Sequence, residues 1–171
     1  MIFENIEKLK NSLEKQKDVR PIYMTSGGFD PLHIGHVRCI KATSALAQNP
    51  DIHPWQMKGI VVVVVNADSF LIRKKGYAFM PLEERMEIID SIAGVDYVVP
   101  WETTGDQTVC KALEILKPMF FTKGGDRFDA KTIPEWDICR KINCKIITGV
   151  GAGGKIQSSS DLVRRVNEPI D

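Results

Sequence analysis

The chain has 171 residues, 43% of them apolar and 26% charged, which is enough core for one ordinary domain and excludes a fibre or a disordered tail. Its 23 Lys and Arg nearly balance its 22 Asp and Glu, so no overall field favours nucleic acid or an anionic membrane as a partner. We therefore expect a single domain over residues 1–171 that binds neither nucleic acid nor membrane.

An amphipathic helix is predicted at the start of the chain. Ile2, Ile6, Leu9 and Leu13 recur at spacings of four, three and four among polar residues, which places them on one face of a helix over about residues 2–16. We expect that face to pack on the chain's own sheet or on a partner subunit.

The strongest strand signal lies at Gly59 to Asn66, where five valines follow one another. Because this run shows no polar alternation, it predicts a strand covered on both faces at the centre of a sheet. A shorter strand is predicted from Pro21 to Thr25. No apolar run approaches the roughly 20 residues of a membrane span, and no signal-peptide core opens the chain, so we expect a cytoplasmic protein.

Helices and strands alternate along the rest of the chain. Helices are predicted from about Ile34 to the residues before Asn49, from Pro81 to about Ala93, from Asp106 to Leu116, near Glu135 to Lys141 and from Ser160; strands at Tyr97 to Val99, Met119 to Thr122 and Lys145 to Thr148; and a basic loop at Ala67 to Met80. This alternation predicts an α/β fold, a single Rossmann-like domain with a parallel sheet and helices on both faces. Ligands of such sheets bind beyond the carboxyl ends of the strands, so the segments that follow the strands are the candidate site.

The segment after the first strand concentrates residues suited to binding phosphate. Residues 27–36 read GGFDPLHIGH and lead into a helix. The glycines permit a ligand to approach the backbone closely, and the first-turn N–H groups of the helix favour an anion. His33 and His36 are three residues apart, so both project from one side of that turn and can donate to the same anion, while Gly35 keeps a side chain out of the way.

Two other interpretations of the histidines stay open. Two histidines three apart can ligate a metal, and Cys39 follows three residues later, although the chain offers no distant ligand pair with suitable spacing. The histidines can also be purely structural. The four cysteines, at 39, 110, 139 and 144, form no Cys-x-x-Cys pair, so we expect reduced thiols and no metal held by protein side chains.

The motif GFDPLHIGH at residues 28–36 resembles the signature of the nucleotidyltransferase superfamily that contains the cytidylyltransferases and small adenylyltransferases. Further strings follow in order: VNAD at 65–68, KKG at 74–76, MPLEER at 80–85, VDYVVP at 95–100 and KGGD at 123–126. Together they look most like the nucleotidyltransferase part of ADP-heptose synthase, and more distantly like glycerol-3-phosphate cytidylyltransferase. The resemblance extends from about Ile22 to Val166.

The motifs and the resemblance together imply roles for individual residues. Catalytic roles are implied for His33, His36 and Lys74; nucleotide-binding roles for Gly28, Phe29, Asp30, Gly35, Lys123, Gly125, Asp126, Ser158, Ser159 and Ser160; and substrate-binding roles for Asn66, Asp68, Lys75 and Arg85. Other interpretations remain for some of them. The lysines can be solvated surface charges, Arg85 can pair with Glu84 or Asp90, and the serines can cap the final helix.

The resemblance implies a nucleotidyltransferase reaction. A phosphate oxygen of the acceptor attacks the α-phosphorus of a nucleoside triphosphate, with ATP favoured over CTP, and pyrophosphate leaves. The acceptor is a sugar phosphate or a phosphorylated alcohol, and Mg²⁺ arrives on the triphosphate. The alternatives are an adenylyltransferase for a cofactor precursor, phosphopantetheine or a mononucleotide, and a protein that binds nucleotide without turning it over. Dimers are usual in the resembled families, so a homodimer is also expected.

Overall fold

The computed structural model describes residues 1–49, 51, 57–102, 108–125, 129–151 and 158–166. Its strands are β1 (Ile22–Gly27), β2 (Ile60–Asn66), β3 (Tyr97–Trp101), β4 (Phe120–Gly124) and β5 (Lys145–Val150). Its α-helices are α1 (Ile6–Lys15), α2 (Ile34–Gln48), α3 (Asp68–Lys75), α4 (Leu82–Asp90), α5 (Cys110–Leu116), α6 (Trp136–Lys141) and α7 (Ser159–Val166), with a short 3-10 helix at Ala130–Thr132. Within these residue ranges, no helix combines the length and the hydropathy that crossing a bilayer requires.

The strands form one parallel sheet in the order β3-β2-β1-β4-β5. The chain runs from β1 outward through β2 to β3 and then returns to the other side of β1 with β4 and β5. The strand order therefore reverses at β1, and in open parallel sheets the crevice at such a reversal binds ligands. The predicted α/β fold with a parallel sheet is confirmed.

Strand β2 explains why the sheet is covered on both faces. All of its residues are buried. Val62 and Val64 join a core that includes α1 and α5, whereas Val61, Val63 and Val65 join a second core that includes α2 and α4. Burial of each valine contributes about 1.5–3 kcal/mol, so both faces of this strand need a helical layer.

The N-terminal segment differs from the prediction. Helix α1 begins at Ile6, because the Asn5 side chain caps it by accepting a hydrogen bond from the Lys8 N–H. Residues 1–3 instead pair with β3, where the Phe3 N–H donates to the Val98 carbonyl at 2.9 Å. Ile2 is therefore 39% exposed and does not share the buried helix face.

The segment predicted as a basic loop contains helix α3, so that prediction was wrong. The helix buries Phe70 and Leu71, and the three consecutive basic residues of its last turn suit the negative end of the helix dipole. It ends at Gly76, whose φ of +86° is left-handed and suits glycine. Lys74 and Lys75 thus lie on an ordered helix rather than on a loop.

Other differences are small. Strands β4 and β5 each extend two residues past the predicted end, and helix α7 begins at Ser159. The cysteines are free thiols, with Cys139 and Cys144 buried, as predicted. Part of the loop at 51–58 and the start of the helix predicted from Asp106 lie outside the described residues.

Candidate active site

A cavity of about 550 Å³ opens beyond the carboxyl ends of β1, β2 and β4, at the reversal of the strand order. Its volume is that of a small-molecule site. Among the predicted site residues, its wall includes Gly28, Phe29, His33, Gly35, His36, Asn66, Lys74, Lys123, Gly125, Ser158 and Ser159. The fold therefore brings together residues that are more than 120 positions apart in the chain.

The two histidines stand at the first turn of α2 as a stacked pair. Their ring centroids are 3.8 Å apart with an interplanar angle of 24°. His33 Nδ1 accepts a hydrogen bond from the Gly35 N–H at 3.1 Å, and His36 Nδ1 accepts one from the His33 N–H at 3.3 Å. The imidazoles therefore cap the helix themselves, and these two backbone N–H groups are not available to a bound anion.

This capping decides which ring nitrogen carries the proton. Because both Nδ1 atoms accept hydrogen bonds, each neutral imidazole holds its proton on Nε2. Both residues border the cavity, so the pair offers two neutral Nε2–H donors to a ligand. The sequence predicts that imidazole and backbone N–H groups both donate to the ligand. In the structure the imidazoles accept from the His33 and Gly35 N–H groups and offer their own Nε2–H donors instead.

Gly35 is required by the close approach of His33. A Cβ at this position would lie 3.0 Å from His33 Cε1 and 3.1 Å from its Nδ1. Any side chain would push the ring away from its capping position. The expectation that Gly35 leaves room between the histidines is consistent with this geometry.

Both histidines are held in the neutral form. Burial, followed by electrostatic interactions with His33 and Lys75, lowers the pKa of His36 from its ordinary 6.5 to about 3. Burial also lowers the pKa of His33. At neutral pH the pair therefore acts through hydrogen bonding rather than through positive charge.

The low pKa of His36 predicts a loss of stability in acid. Between about pH 6.5 and 3 the unfolded chain binds a proton at this residue that the folded chain does not, so the free energy of unfolding falls as the pH is lowered. We expect wild-type protein to lose about 1 kcal/mol more than His36→Asn between pH 7.5 and 5.5, measured by urea unfolding. Equal losses in the two proteins would contradict this prediction.

Two lysines approach the cavity from opposite sides of β1. Lys74 lies at the rim on α3, with its Nζ 5.5 Å from the centroid of the Phe70 ring. Lys123 lies near the end of β4, and its Nζ lies 3.4 Å from Ser26 Oγ and 3.7 Å from Glu135 Oε1. The side chain of Lys123 is 17% exposed, so its charge is screened less than a surface charge.

Asp30 and Lys75, which the sequence predicts to bind nucleotide and substrate, do not border the cavity and instead contact each other. The carboxylate of Asp30 is fully buried and accepts hydrogen bonds from the N–H groups of Phe79 and Met80 at 2.8 and 2.7 Å. Lys75 Nζ bonds to the carbonyl of Asp30 and lies 3.3 Å from its Oδ2. This pair holds the segment before α4 against the loop after β1.

Arg85, a predicted substrate-binding residue, makes internal contacts. It is 0% exposed, and its guanidinium donates to the carbonyls of Met80, Gly28 and Asn66. A further hydrogen bond joins it to Asp68 Oδ1, so Arg85 and Asp68 both take part in this connection. Four of the five N–H donors of an arginine are thereby used.

The serines before and within α7 have different surroundings. Ser158 Oγ accepts a hydrogen bond from the Asp161 N–H at 3.1 Å, which leaves its own O–H able to donate into the cavity. Ser159 donates to the Pro31 carbonyl at 3.0 Å and so joins α7 to the loop after β1. Ser160, which is also predicted to bind nucleotide, is exposed and does not border the cavity.

Two further predicted residues, Gly125 and Asn66, border the cavity. Gly125 borders the cavity with a φ of +80°, a conformation that favours glycine, whereas Asp126 lies outside the described residues. Asn66 Oδ1, at the end of β2, is buried and has no hydrogen-bond partner among the described residues. It can therefore accept a hydrogen bond from a ligand.

The sequence interpretation missed two charged residues in the cavity wall. Arg38 lies on α2, two positions after His36, and Glu135 directly precedes α6. The position of Arg38 just after the histidine motif was an available signal. Glu135 carried no such signal, because a glutamate at a predicted helix start is typical of a helix terminus.

The chain matches a family model and is similar in sequence to known proteins. The family model described as cytidylyltransferase-like matches residues 24–164. Bifunctional protein HldE of Hahella chejuensis is 33% identical over 136 residues, covering 78% of this chain and 25% of that protein. HldE of Aliarcobacter butzleri is 28% identical over 170 residues, covering 97% of this chain and 30% of that protein. The chain thus spans between a quarter and a third of the length of these curated relatives.

A solved structure supports the same relation. The lipopolysaccharide core biosynthesis protein of Thermoplasma volcanium GSS1 superposes with a TM-score of 0.59 and is 25% identical in sequence. The superposition covers 78% of this chain and 98% of that one. The residues matched by the family model include the histidine pair and the serines of α7.

Proposed function

We propose that this chain, which belongs to the cytidylyltransferase-like family, is a nucleotidyltransferase that transfers a nucleoside monophosphate from ATP, or less favourably CTP, to a sugar phosphate or phosphorylated alcohol. The stacked pair of neutral histidines, flanked by Lys74 and Lys123, carries this proposal. The sequence motifs that resemble the nucleotidyltransferase part of ADP-heptose synthase support an acceptor of the sugar phosphate class.

The proposed reaction needs no protein nucleophile. An oxygen of the acceptor phosphate forms a bond to the α-phosphorus, and the bond from that phosphorus to the bridging oxygen of the β-phosphate breaks, releasing pyrophosphate. The Nε2–H donors of His33 and His36 stabilise the charge that develops on the transferred group. Lys74 and Lys123 neutralise the triphosphate and hold attacker and leaving group in line.

The charges of the cavity wall suit a polyphosphate. In the described part of the wall the charged side chains are Arg38, Lys74, Lys123 and Glu135. Three cations against one carboxylate favour anionic ligands over a metal cage, and we propose that the triphosphate carries its own Mg²⁺. The ion supplies further neutralisation of phosphate charge when the nucleotide is bound.

The order of the strands suggests a side for each substrate. Lys123 and Gly125 lie at the end of β4 on one side of the histidines, whereas Asn66 at the end of β2 and Lys74 on α3 lie on the other side. We propose that the nucleoside lies on the β4 side and the acceptor on the β2 side. There Asn66 Oδ1 accepts a hydrogen bond from an acceptor hydroxyl.

A pyrophosphate-release screen tests the proposed function. ATP, CTP, GTP and UTP with Mg²⁺ are each combined with aldose 1-phosphates, glycerol 3-phosphate, phosphopantetheine and a mononucleotide. Pyrophosphate release with a sugar phosphate or phosphorylated alcohol is expected, and release only with phosphopantetheine or the mononucleotide would replace the proposal by the cofactor-precursor reaction. Nucleotide binding with no release for any acceptor would identify a non-catalytic binding protein. Sedimentation of the same sample tests the expected homodimer.

Removal of the Ser158 hydroxyl is predicted to weaken nucleotide binding. Its O–H is oriented by the bond from the Asp161 N–H and donates to phosphate in ground and transition states alike. Ser158→Ala should raise KM for the nucleotide about tenfold and leave kcat within about twofold, measured by steady-state kinetics. Ser160→Ala, an exposed neighbour, serves as the control and should change neither constant. A large fall in kcat with unchanged KM would contradict the prediction.

A further inference from the structure

Glu135 is a buried acidic residue that the proposed reaction does not use. It lies between Pro134 and helix α6, and both it and Pro134 border the cavity. Only 5% of the residue is exposed. It occupies the same side of the histidine pair as Lys123 and Gly125, which lie at the end of β4.

Among the described residues, none donates a hydrogen bond to Oε2 of the Glu135 carboxylate. Its Oε1 lies 3.7 Å from Lys123 Nζ, a distance that permits an ion pair but is too long for a hydrogen bond. Its Oε2 is shielded from water and has no hydrogen-bond partner among the described residues. A buried carboxylate raises the free energy of the folded state unless it is paired and hydrogen-bonded. We therefore expect Oε2 to accept a hydrogen bond from a donor outside the described residues.

The lysine beside it does not provide that donor. Lys123 Nζ lies 3.4 Å from Ser26 Oγ at the end of β1 and 4.6 Å from the centroid of the Phe121 ring. The ammonium group is thus directed toward β1, the side on which the histidines stand. A phosphate group cannot donate a hydrogen bond to Oε2 either, because it is an acceptor and the carboxylate repels it.

We propose that Glu135 accepts a hydrogen bond from the nucleoside part of the nucleotide and thereby determines which nucleotide is bound. The donor is an N–H of an exocyclic amino group on the base or an O–H of the ribose. This inference rests on the proposed function, since it requires a nucleotide with its nucleoside on the β4 side.

A carboxylate at this position distinguishes nucleotides by the hydrogen-bond donors that their nucleosides present. Adenine and cytosine present an exocyclic amino donor, whereas hypoxanthine and uracil present a carbonyl oxygen at the same place, which a carboxylate repels. A ribose hydroxyl likewise donates, whereas a deoxyribose carbon does not. Loss of a hydrogen bond to a charged group weakens binding about tenfold to a hundredfold, which sets the size of the expected preference.

The test measures equilibrium binding of Mg²⁺-nucleotides by calorimetry without any acceptor. ATP is compared with ITP, CTP with UTP, and ATP and CTP each with their 2′-deoxy and 3′-deoxy forms. The proteins are wild type, Glu135→Gln, Glu135→Asp and the control Asp137→Asn. Asp137 lies two positions further on α6 and is exposed, so its substitution removes the same charge outside the cavity.

Wild type and Asp137→Asn should prefer one donor-bearing nucleotide by about tenfold or more, and Glu135→Gln should reduce that preference to about twofold. Glu135→Asp keeps the charge on a shorter side chain, so it should also reduce the preference. This variant still tests the proposal if Glu135→Gln fails to fold. A reduced amino-over-carbonyl preference identifies the base as the donor, and a reduced hydroxyl-over-deoxy preference identifies the ribose.

Unchanged preferences, or an equal loss of affinity for all nucleotides, would overturn the role of Glu135 while leaving the proposed function intact. Wild-type protein that binds no nucleotide would overturn the proposed function and this inference with it.

Discussion

Substitution of His33 or His36 by alanine is expected to lower kcat by a factor of about 10² to 10³, the size of the effect when one transition-state donor is lost. Each substitution removes an Nε2–H donor that borders the cavity. Because both imidazoles are neutral, the loss is one of directed hydrogen bonding and not of charge. Steady-state pyrophosphate release with the acceptor identified by the screen measures the effect.

The capping role of His33 makes an informative control possible. An alanine there also removes the acceptor for the Gly35 N–H, and loss of a helix cap costs about 1 kcal/mol. Asparagine retains a side-chain acceptor at the cap but has no Nε2–H. His33→Asn should therefore unfold near the wild-type urea midpoint and still lose the same factor in kcat. Near-normal turnover of both alanine variants would reject the catalytic assignment.

Substitution of Arg85 by methionine is expected to lower the free energy of unfolding by about 3–5 kcal/mol. The guanidinium joins the loop after β1, the end of β2, the start of α3 and the segment before α4, through Gly28, Asn66, Asp68 and Met80. Methionine fills a similar volume but leaves these carbonyls and the carboxylate without their donors. Urea unfolding followed by circular dichroism measures the loss.

Arg73→Met is the matched control. Arg73 is an exposed arginine of the neighbouring helix, 3.9 Å from Glu102, and an exposed ion pair contributes about 0–1 kcal/mol. Losses of similar size in the two variants would contradict the connecting role of Arg85. Arg85→Lys retains the charge but not the fork of donors, so its stability should lie between those of wild type and Arg85→Met.

The general architecture was predictable because periodicity is a local property. The valines of β2 and the alternation of helices with strands predicted a parallel sheet, and the observed order places the histidine segment where the strand order reverses. The family was predictable for a similar reason, since its motifs are short strings in a fixed order. The cytidylyltransferase-like match confirms that resemblance.

Errors arose where burial competed with local composition. The run of basic residues after Arg73 suggested a loop, yet the burial of Phe70 and Leu71 produces a helix. Ile2 fitted a helical period, yet backbone hydrogen bonds of residues 1–3 to β3 place it at the sheet edge. In each case the deciding contact comes from a distant part of the chain.

The candidate site shows the same division. The linear pattern was sufficient to identify the candidate residues for the chemistry, because the histidine motif and the lysine and serine strings are contiguous segments. The folded chain was needed to show that Arg85, Asp30 and Lys75 make internal contacts, and that Glu135 borders the cavity with no donor to its Oε2 among the described residues. Burial and hydrogen-bond partners depend on distances between segments far apart in the chain, and a linear pattern does not contain those distances.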